Sequence, residues 1–286
     1  MCDLDARVRG EEDRDRVASG LWGEEPAVGW VEKYSAGTAA VPAIGYQLGD
    51  AEAQALAPHI QALLQDTKGA DDVRQSLEAI TRTAFRRDRL DAILAATGAV
   101  DEWRVGEALA EHHLAAEHNC NFPWPSGRDL KNPGTSSGGV DLIGFDISDE
   151  PAAFALGEVK TSRQAAWPPA ALTGRHGLEK QLEGLRDGDD RKVWAVRYMS
   201  LHATGRDWHV LFQQAMIRYL DDPQDVRLYG TLVHVTDPNE LDLRARAKNL
   251  SDGCPAVTQI QLSAIYVSDR GLQIMAGEQV HWETPQ

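Results

Sequence analysis

Three charged side chains sit in stretches otherwise built to be apolar. Gly138-Gly139-Val140-Asp141-Leu142-Ile143-Gly144-Phe145 carries one carboxylate, and Ala155-Leu156-Gly157-Glu158-Val159-Lys160-Thr161-Ser162 carries a carboxylate and an ammonium. Both stretches read as strands. Side chains two apart on a strand share a face, so Glu158 and Lys160 point one way and Val159 the other. Pairing the two strands brings Asp141 beside Glu158. Two carboxylates that close repel each other at low dielectric, and a divalent cation resolves the conflict. Mg²⁺ or Mn²⁺ takes oxygen ligands, commonly one or two carboxylates plus a substrate phosphate, and the Val159 carbonyl can add another. Lys160 is then placed to orient or deprotonate an attacking water and to stabilise charge on a phosphate.

The tripeptide alone is weak. Acid-x-Lys occurs as Asp66-x-Lys68, Asp129-x-Lys131, Glu158-x-Lys160 and Asp190-x-Lys192. The first reads as a helix end before Gly69, the second as part of a Pro/Gly loop, and Asp190-x-Lys192 as part of the charged turn Asp187-Gly188-Asp189-Asp190. Only Glu158-x-Lys160 lies in an apolar strand with an aspartate on the strand before it. The plain alternative is a semi-buried salt bridge between Lys160 and one carboxylate, since buried charges are usually paired.

The elements that must position these residues follow from hydrophobic spacing and turn signals. Residues 1–25 read as a solvated arm, with ordered structure beginning near Trp30, Val31 and Tyr34. Helices are expected at 51–64 and at 71–96, the latter with Val73, Leu77, Ile80, Ala84 and Leu94 near helical spacing and Thr97-Gly98 at its end. A third helix runs from about Asp101, which can cap it, to His118. Residues 121–139 form a Pro/Gly/Ser loop. Strands 139–147 and 153–161, joined at Ser148-Asp149-Glu150-Pro151, form a β-hairpin. Then come helix 178–185, strand 192–199, helix 208–220, strand 226–235, helix 240–250 and strand 259–268. Strands alternating with helices give an α/β (α+β layered) fold, a central mixed sheet flanked by helices. The expected organisation is an arm and helical region over 1–100 and a second domain over 101–286.

The order of these residues resembles the PD-(D/E)xK nuclease superfamily, the restriction-endonuclease-like fold. Its motif is an acid on a helix, Asp on one strand, Glu-x-Lys on the next, then a helix. Glu107 in Arg104-Val105-Gly106-Glu107-Ala108-Leu109 matches the helical acid, Asp141 the strand aspartate, and Glu158 and Lys160 the final pair. Val140 replaces the proline. Gln181, in Leu178-Glu179-Lys180-Gln181-Leu182, matches a polar residue that many members place on the following helix; the tyrosine some carry four residues later is Leu185 here. The resemblance covers about residues 101–200. It implies a Mg²⁺- or Mn²⁺-dependent endodeoxyribonuclease, with Asp141, Glu158, Glu107 and Val159 at the metal and Lys160 and Gln181 in the site. A narrower resemblance rests on Gly106-Glu107-Ala108-Leu109-Ala110-Glu111, Phe122-Pro123-Trp124-Pro125, Gly157-Glu158-Val159-Lys160-Thr161-Ser162 and Gln181-Leu182. These are similar to the nuclease subunit of the Hachiman anti-phage defence system, which implies DNA as substrate and a helicase subunit as partner.

Composition sets limits. The chain has 286 residues, 42% hydrophobic and 26% charged, which suits a globular protein with a sizeable core. Cys2, Cys120 and Cys254 lie far apart and read as free thiols of a reducing cytoplasm. No signal peptide or long apolar run is expected to take the chain to a membrane, and no organic cofactor motif appears. The net charge of −15 opposes nucleic-acid binding, which needs Lys and Arg. Either basic residues gather on one face or a partner supplies affinity. The charge also leaves open a reading of another class, a regulatory or DNA-sensing subunit on a nuclease fold with little activity of its own.

Other groups read more plainly. His112, His113, His118 and Cys120 fit no established zinc spacing, and a solvated helix face is expected. Glu111 is expected at the surface. Arg82, Arg86, Arg87 and Arg89, and Arg244, Arg246 and Lys248, are divided between phosphate contacts and pairing with nearby acids. Arg163 and Arg175 flank the proposed site. Trp167-Pro168-Pro169 is placed to stack on a base or, more simply, to cover the core. Gly134–Gly139 lacks the Lys-Ser/Thr of a P-loop.

Overall fold

The hairpin that carries the three charged residues is real and sits inside a larger sheet. In the computed structural model, which describes residues 28–94, 100–125, 128, 139–188 and 190–277, β4 (Leu142–Asp146) pairs antiparallel with β5 (Ala153–Ser162). The other strands are β1 (Val31–Ser35), β2 (Ala43–Leu48), β3 (Cys120–Asn121), β6 (Val226–His234) and β7 (Gln259–Val267). They form one seven-stranded mixed sheet in the order β1-β2-β7-β6-β5-β4-β3. Strands β2, β7, β6 and β5 run parallel at its centre, and β1, β4 and β3 are antiparallel to their neighbours.

Helices cover both faces, so the fold is a layered α/β fold. The helices are α1 (Asp50–Leu64), α2 (Thr67–Ser76), α3 (Ala84–Leu94), α4 (Glu102–His118), α5 (Leu178–Asp187), α6 (Asp190–Ala203), α7 (His209–Asp221), α8 (Arg244–Ser251) and α9 (Asp269–Ala276). Alternate residues of each strand go to opposite faces. Phe154, Leu156, Leu228, Leu232, Leu262 and Ala264 meet α5 to α8 through Leu178, Leu182, Val196, Met199, Ala215 and Leu250. On the other face, Val233, Ile265 and Val267 meet Leu56, Ile60, Leu109, Leu272 and Met275 of α1, α4 and α9. Residues 48–64 thus share one core with 105–109 and 265–276 across residue 100. No helix among the described residues is long and apolar enough to cross a membrane.

Several elements differ from the sequence expectation. The span 192–199 is not a strand but most of α6. Its β-branched and aromatic residues suggest a strand, yet Lys192, Ala195, Val196, Met199 and Ala203 are the buried ones, and that spacing is helical. The single helix 71–96 is two. Residues 77–80 turn out of α2, and Thr83 Oγ1 accepts the Arg86 N–H at the start of α3. Neither α2 nor α3 buries a residue, so the apolar spacing there had no core to face. Helix 240–250 is a 3₁₀ turn, Glu240–Asp242, followed by α8. Asp66 starts α2 rather than ending α1: its carboxylate accepts the Gly69 N–H. Likewise, Asp190-x-Lys192 opens α6 and is no turn. Strand β2 was hidden by Gly45, whose missing Cβ leaves room for the Tyr34 ring of β1. The arm 1–25, Thr97-Gly98, Asp129, Lys131 and most of the loop 121–139 lie outside the described residues.

The histidines of α4 do not form a solvated face. His112 and His113 are 1% and 0% exposed, packed under Trp30, with His59 against His112 and Tyr46 against His113. Burial pushes His112 down to about 4 and His113 down to about 3. Both ring nitrogens of His112 are buried without a hydrogen-bond partner, which costs about 1–3 kcal/mol for each donor left unmet. A histidine with a lowered folded-state pKa contributes stability above its unfolded value of 6.5 that is lost as pH falls toward the folded value. The melting temperature should therefore drop as pH falls from 6.5 to 4. The variant His112→Leu should match or exceed the wild type at pH 7.5 and drop less on acidification. A His112→Leu protein that melts lower than wild type at pH 5 would contradict this account.

Candidate active site

Strand β4 stops pairing with β5 at Leu142–Gly157. Asp141, one residue beyond, leaves the ladder opposite Glu158. Strand β5 continues to Ser162 with only β6 beside it, so past Gly157 its other edge is open. Asp141 occupies that edge: its Oδ2 accepts the Val159 N–H at 2.8 Å. The N–H and C=O of a strand residue point to the same side, so the Val159 carbonyl faces the same edge.

Glu158 is wholly buried (0% exposed), whereas Asp141 and Lys160 are about a fifth exposed. Lys160 Nζ stands 3.9 Å from Asp141 Oδ2 and 3.9 Å from Glu158 Oε2, shared between them and too far for a hydrogen bond to either. Arg191 of α6 donates from Nη1 to Glu158 Oε1 at 3.0 Å and from Nη2 to the Gln181 carbonyl at 2.7 Å. No N–H or hydroxyl group reaches Glu158 Oε2, and the Glu158 and Asp141 carboxyl groups lie within hydrogen-bonding reach of each other, so one proton can be shared between them. Burial pushes both the Asp141 and Glu158 carboxyl groups up from the usual carboxylate range; Asp141 pushes Glu158 further, while Lys160 and Arg191 oppose the rise at both. Side by side, such groups share a proton or a cation. A buried carboxylate oxygen without an N–H or hydroxyl donor, next to a second carboxylate and a strand carbonyl, is a hard-oxygen donor set that fits Mg²⁺ or Mn²⁺.

Glu107 approaches from α4. Burial, and after it the charge of Asp141, pushes its carboxyl up to about 9. It therefore stands in the electrostatic field of Asp141 and Lys160. Among the described residues no three His, Cys, Asp or Glu side chains converge into a group that could hold a metal ion. Gln181 lies on the sheet-facing side of α5, next to buried Leu178, Leu182 and Leu185. Its carbonyl, not its amide, makes the contact to Arg191, and its Oε1 is buried without a partner.

Arg191 is the site residue the sequence reading missed. It becomes legible once 190–203 is read as a helix, because its second residue then faces the end of β5. Other candidates are engaged elsewhere. Arg163 pairs with Glu102 at 2.6 Å and with Asp269. Arg246 pairs with Glu179 at 3.0 Å, and Arg244 with Glu240. Trp167 donates to the Asp237 carbonyl. Glu111, expected at the surface, is buried at 8% exposed, and its charge acts on Glu107.

Compared with known proteins, the chain matches no family model, and no curated protein matches it.

The depth of α4 over β5 is set by Gly106. A methyl group there would lie 2.0 Å from Thr161 Oγ1, so a side chain at 106 would force the helix or Thr161 to shift. Gly106→Ala should destabilise the protein by about 1–3 kcal/mol, as overpacked sites do. Thr161 Oγ1 is buried with no partner, so Thr161→Ala should recover part of that loss. Strictly additive effects in the double mutant, measured by urea unfolding, would show that the two residues do not compete for this space.

Proposed function

We propose that the chain is a metal-dependent nuclease that hydrolyses DNA phosphodiester bonds. The observation that carries this reading is the buried Asp141–Glu158 pair, with Lys160 shared between them at 3.9 Å and Glu158 Oε2 left without an N–H or hydroxyl donor. Asp141, Glu158 and the Val159 carbonyl would hold Mg²⁺ or Mn²⁺. Bound there, the metal would polarise a phosphodiester and make water a better nucleophile at neutral pH. Lys160 orients the attacking water and places positive charge against a phosphate oxygen. Arg191 locks the Glu158 carboxylate in one orientation by holding Oε1. Glu107, whose carboxyl is pushed up to about 9 by burial and by Asp141, limits the negative charge of the cluster and can release a proton when a cation arrives. The order Glu107, Asp141, Glu158-x-Lys160, Gln181 supports the PD-(D/E)xK reading. The narrower likeness supports a role in the cytoplasm as the effector of an anti-phage complex with a helicase subunit.

A second reading is a regulatory or DNA-sensing subunit on the same fold. Two cations already face Glu158, Arg191 at 3.0 Å and Lys160 at 3.9 Å, and together they offset charge that a metal would otherwise neutralise. The chain's net charge of −15 favours the same reading.

Incubation with plasmid and linear DNA, with and without Mg²⁺ or Mn²⁺, separates the two. The wild type should cut only with metal, and Glu158→Ala/Lys160→Ala should lose cleavage by at least about 10³-fold while its far-ultraviolet spectrum stays native. Full activity in the double variant would remove the mechanism. A wild type that cuts under no metal condition but binds a protein partner tightly would favour the regulatory subunit.

A further inference from the structure

The chain carries 44 acidic residues in 286, yet residues 191–206 contain none. Within that run lie Arg191, Lys192, Arg197 and Arg206. The run is most of α6 and the turn after it, and α6 begins at the candidate site, where Arg191 holds Glu158.

At about 100° per residue, Arg191, Trp194, Tyr198 and His202 fall on one face of α6, within roughly 80° of arc and about 16 Å of helix. The far end is a stack of rings, of which Trp124 and Tyr198 are half-buried against the core. Tyr198 lies 4.5 Å from His202, and His202 stacks on Trp124 at 4.5 Å with 20° between the planes. The exposed Arg206 guanidinium sits 4.8 Å over the Trp124 ring. Midway, Trp194 is 59% exposed, with Arg197 at 5.0 Å over its ring. An exposed tryptophan under an arginine is not explained by the core, because α6 buries Ala195, Val196 and Met199 on its other side.

We propose that this face of α6 binds single-stranded nucleic acid and leads the strand to Asp141 and Glu158; the inference rests on the nuclease reading of that site. Unpaired bases stack on Trp194, and phosphates pair with Arg197 and Arg206. Stacking of this kind needs an open base face, which a duplex does not offer away from its ends. Between Asp190, which opens α6, and Asp207 the run adds only positive charge, and that favours an anionic backbone there. A protein partner would also use Trp and Arg. The continuity of the basic and aromatic run with the carboxylate pair favours a strand.

The test is fluorescence anisotropy of the full chain with labelled oligothymidylate and with a labelled duplex of equal length, in EDTA so that metal-dependent cutting is suppressed. The oligothymidylate should bind more tightly than the duplex. Trp194→Ala should weaken it about tenfold, while Trp194→Phe, which keeps a ring, stays within about twofold of wild type. Arg197→Ala/Arg206→Ala should weaken it similarly and flatten the dependence of log affinity on log salt by about 1.4, for two phosphates of a single strand. Oligothymidylate affinity unchanged in both variants would overturn the proposal, as would variants that lose a protein partner and keep the oligonucleotide. A wild type that cuts DNA while these variants bind normally removes the strand path and keeps the nuclease. Binding through Trp194 by a chain that cuts nothing keeps the strand path and removes the nuclease.

Discussion

A carboxyl group with no exposed surface must be either protonated or matched by positive charge, and the architecture around Glu158 answers that requirement. Its cost sets where β4 may end, because Asp141 has to leave the ladder at the one position where it faces Glu158. It sets the course of the chain after β5, because α5 and α6 must return over the strand so that Arg191 reaches Oε1. It also accounts for Lys160, which lies two residues along the same face and divides its charge between the two acids. Breaking a buried charged group away from its partner costs several kcal/mol, about 3–5 in measured cases, so these contacts stand or fall together. A site of this kind is not the cheapest way to fill a core.

The hairpin and its three charged residues were legible because two simple rules apply there. Strand alternation fixes which residues share a face, and charge inside an apolar run demands a reason. The layered α/β class came from the alternation of elements. The parts that were not legible depended on tertiary packing. Trp194, Val193 and Tyr198 are strand formers by propensity, and only the burial of Ala195, Val196, Met199 and Ala203 shows that the sheet sees them as a helix. That misreading also hid Arg191. The role of Gly106 appears only when Thr161 is seen against it. His112 and His113 read as polar and exposed, while the fold buries them under Trp30.

Acidity and nucleic-acid chemistry are compatible if charge is distributed unevenly. The site concentrates Lys160 and Arg191 beside its carboxylates, and the helix that supplies Arg191 continues without an acid to Arg206. Residues 159–178, which continue from Lys160, also carry no acid, so the net charge of −15 resides elsewhere in the chain. The helical acid Glu107 adds a further restraint, since in its protonated state it limits the negative charge the pair must bear.

The central claim is that Asp141 and Glu158 together form a divalent-cation site. Titration of the purified chain with Mn²⁺, followed by the loss of free-ion signal in electron paramagnetic resonance, reads this directly and needs no substrate. The expected result is saturable binding that Asp141→Asn abolishes while the melting temperature in EDTA is maintained, with Mg²⁺ competing for the site. Mn²⁺ binding that is equal in the wild type and in Asp141→Asn would contradict it.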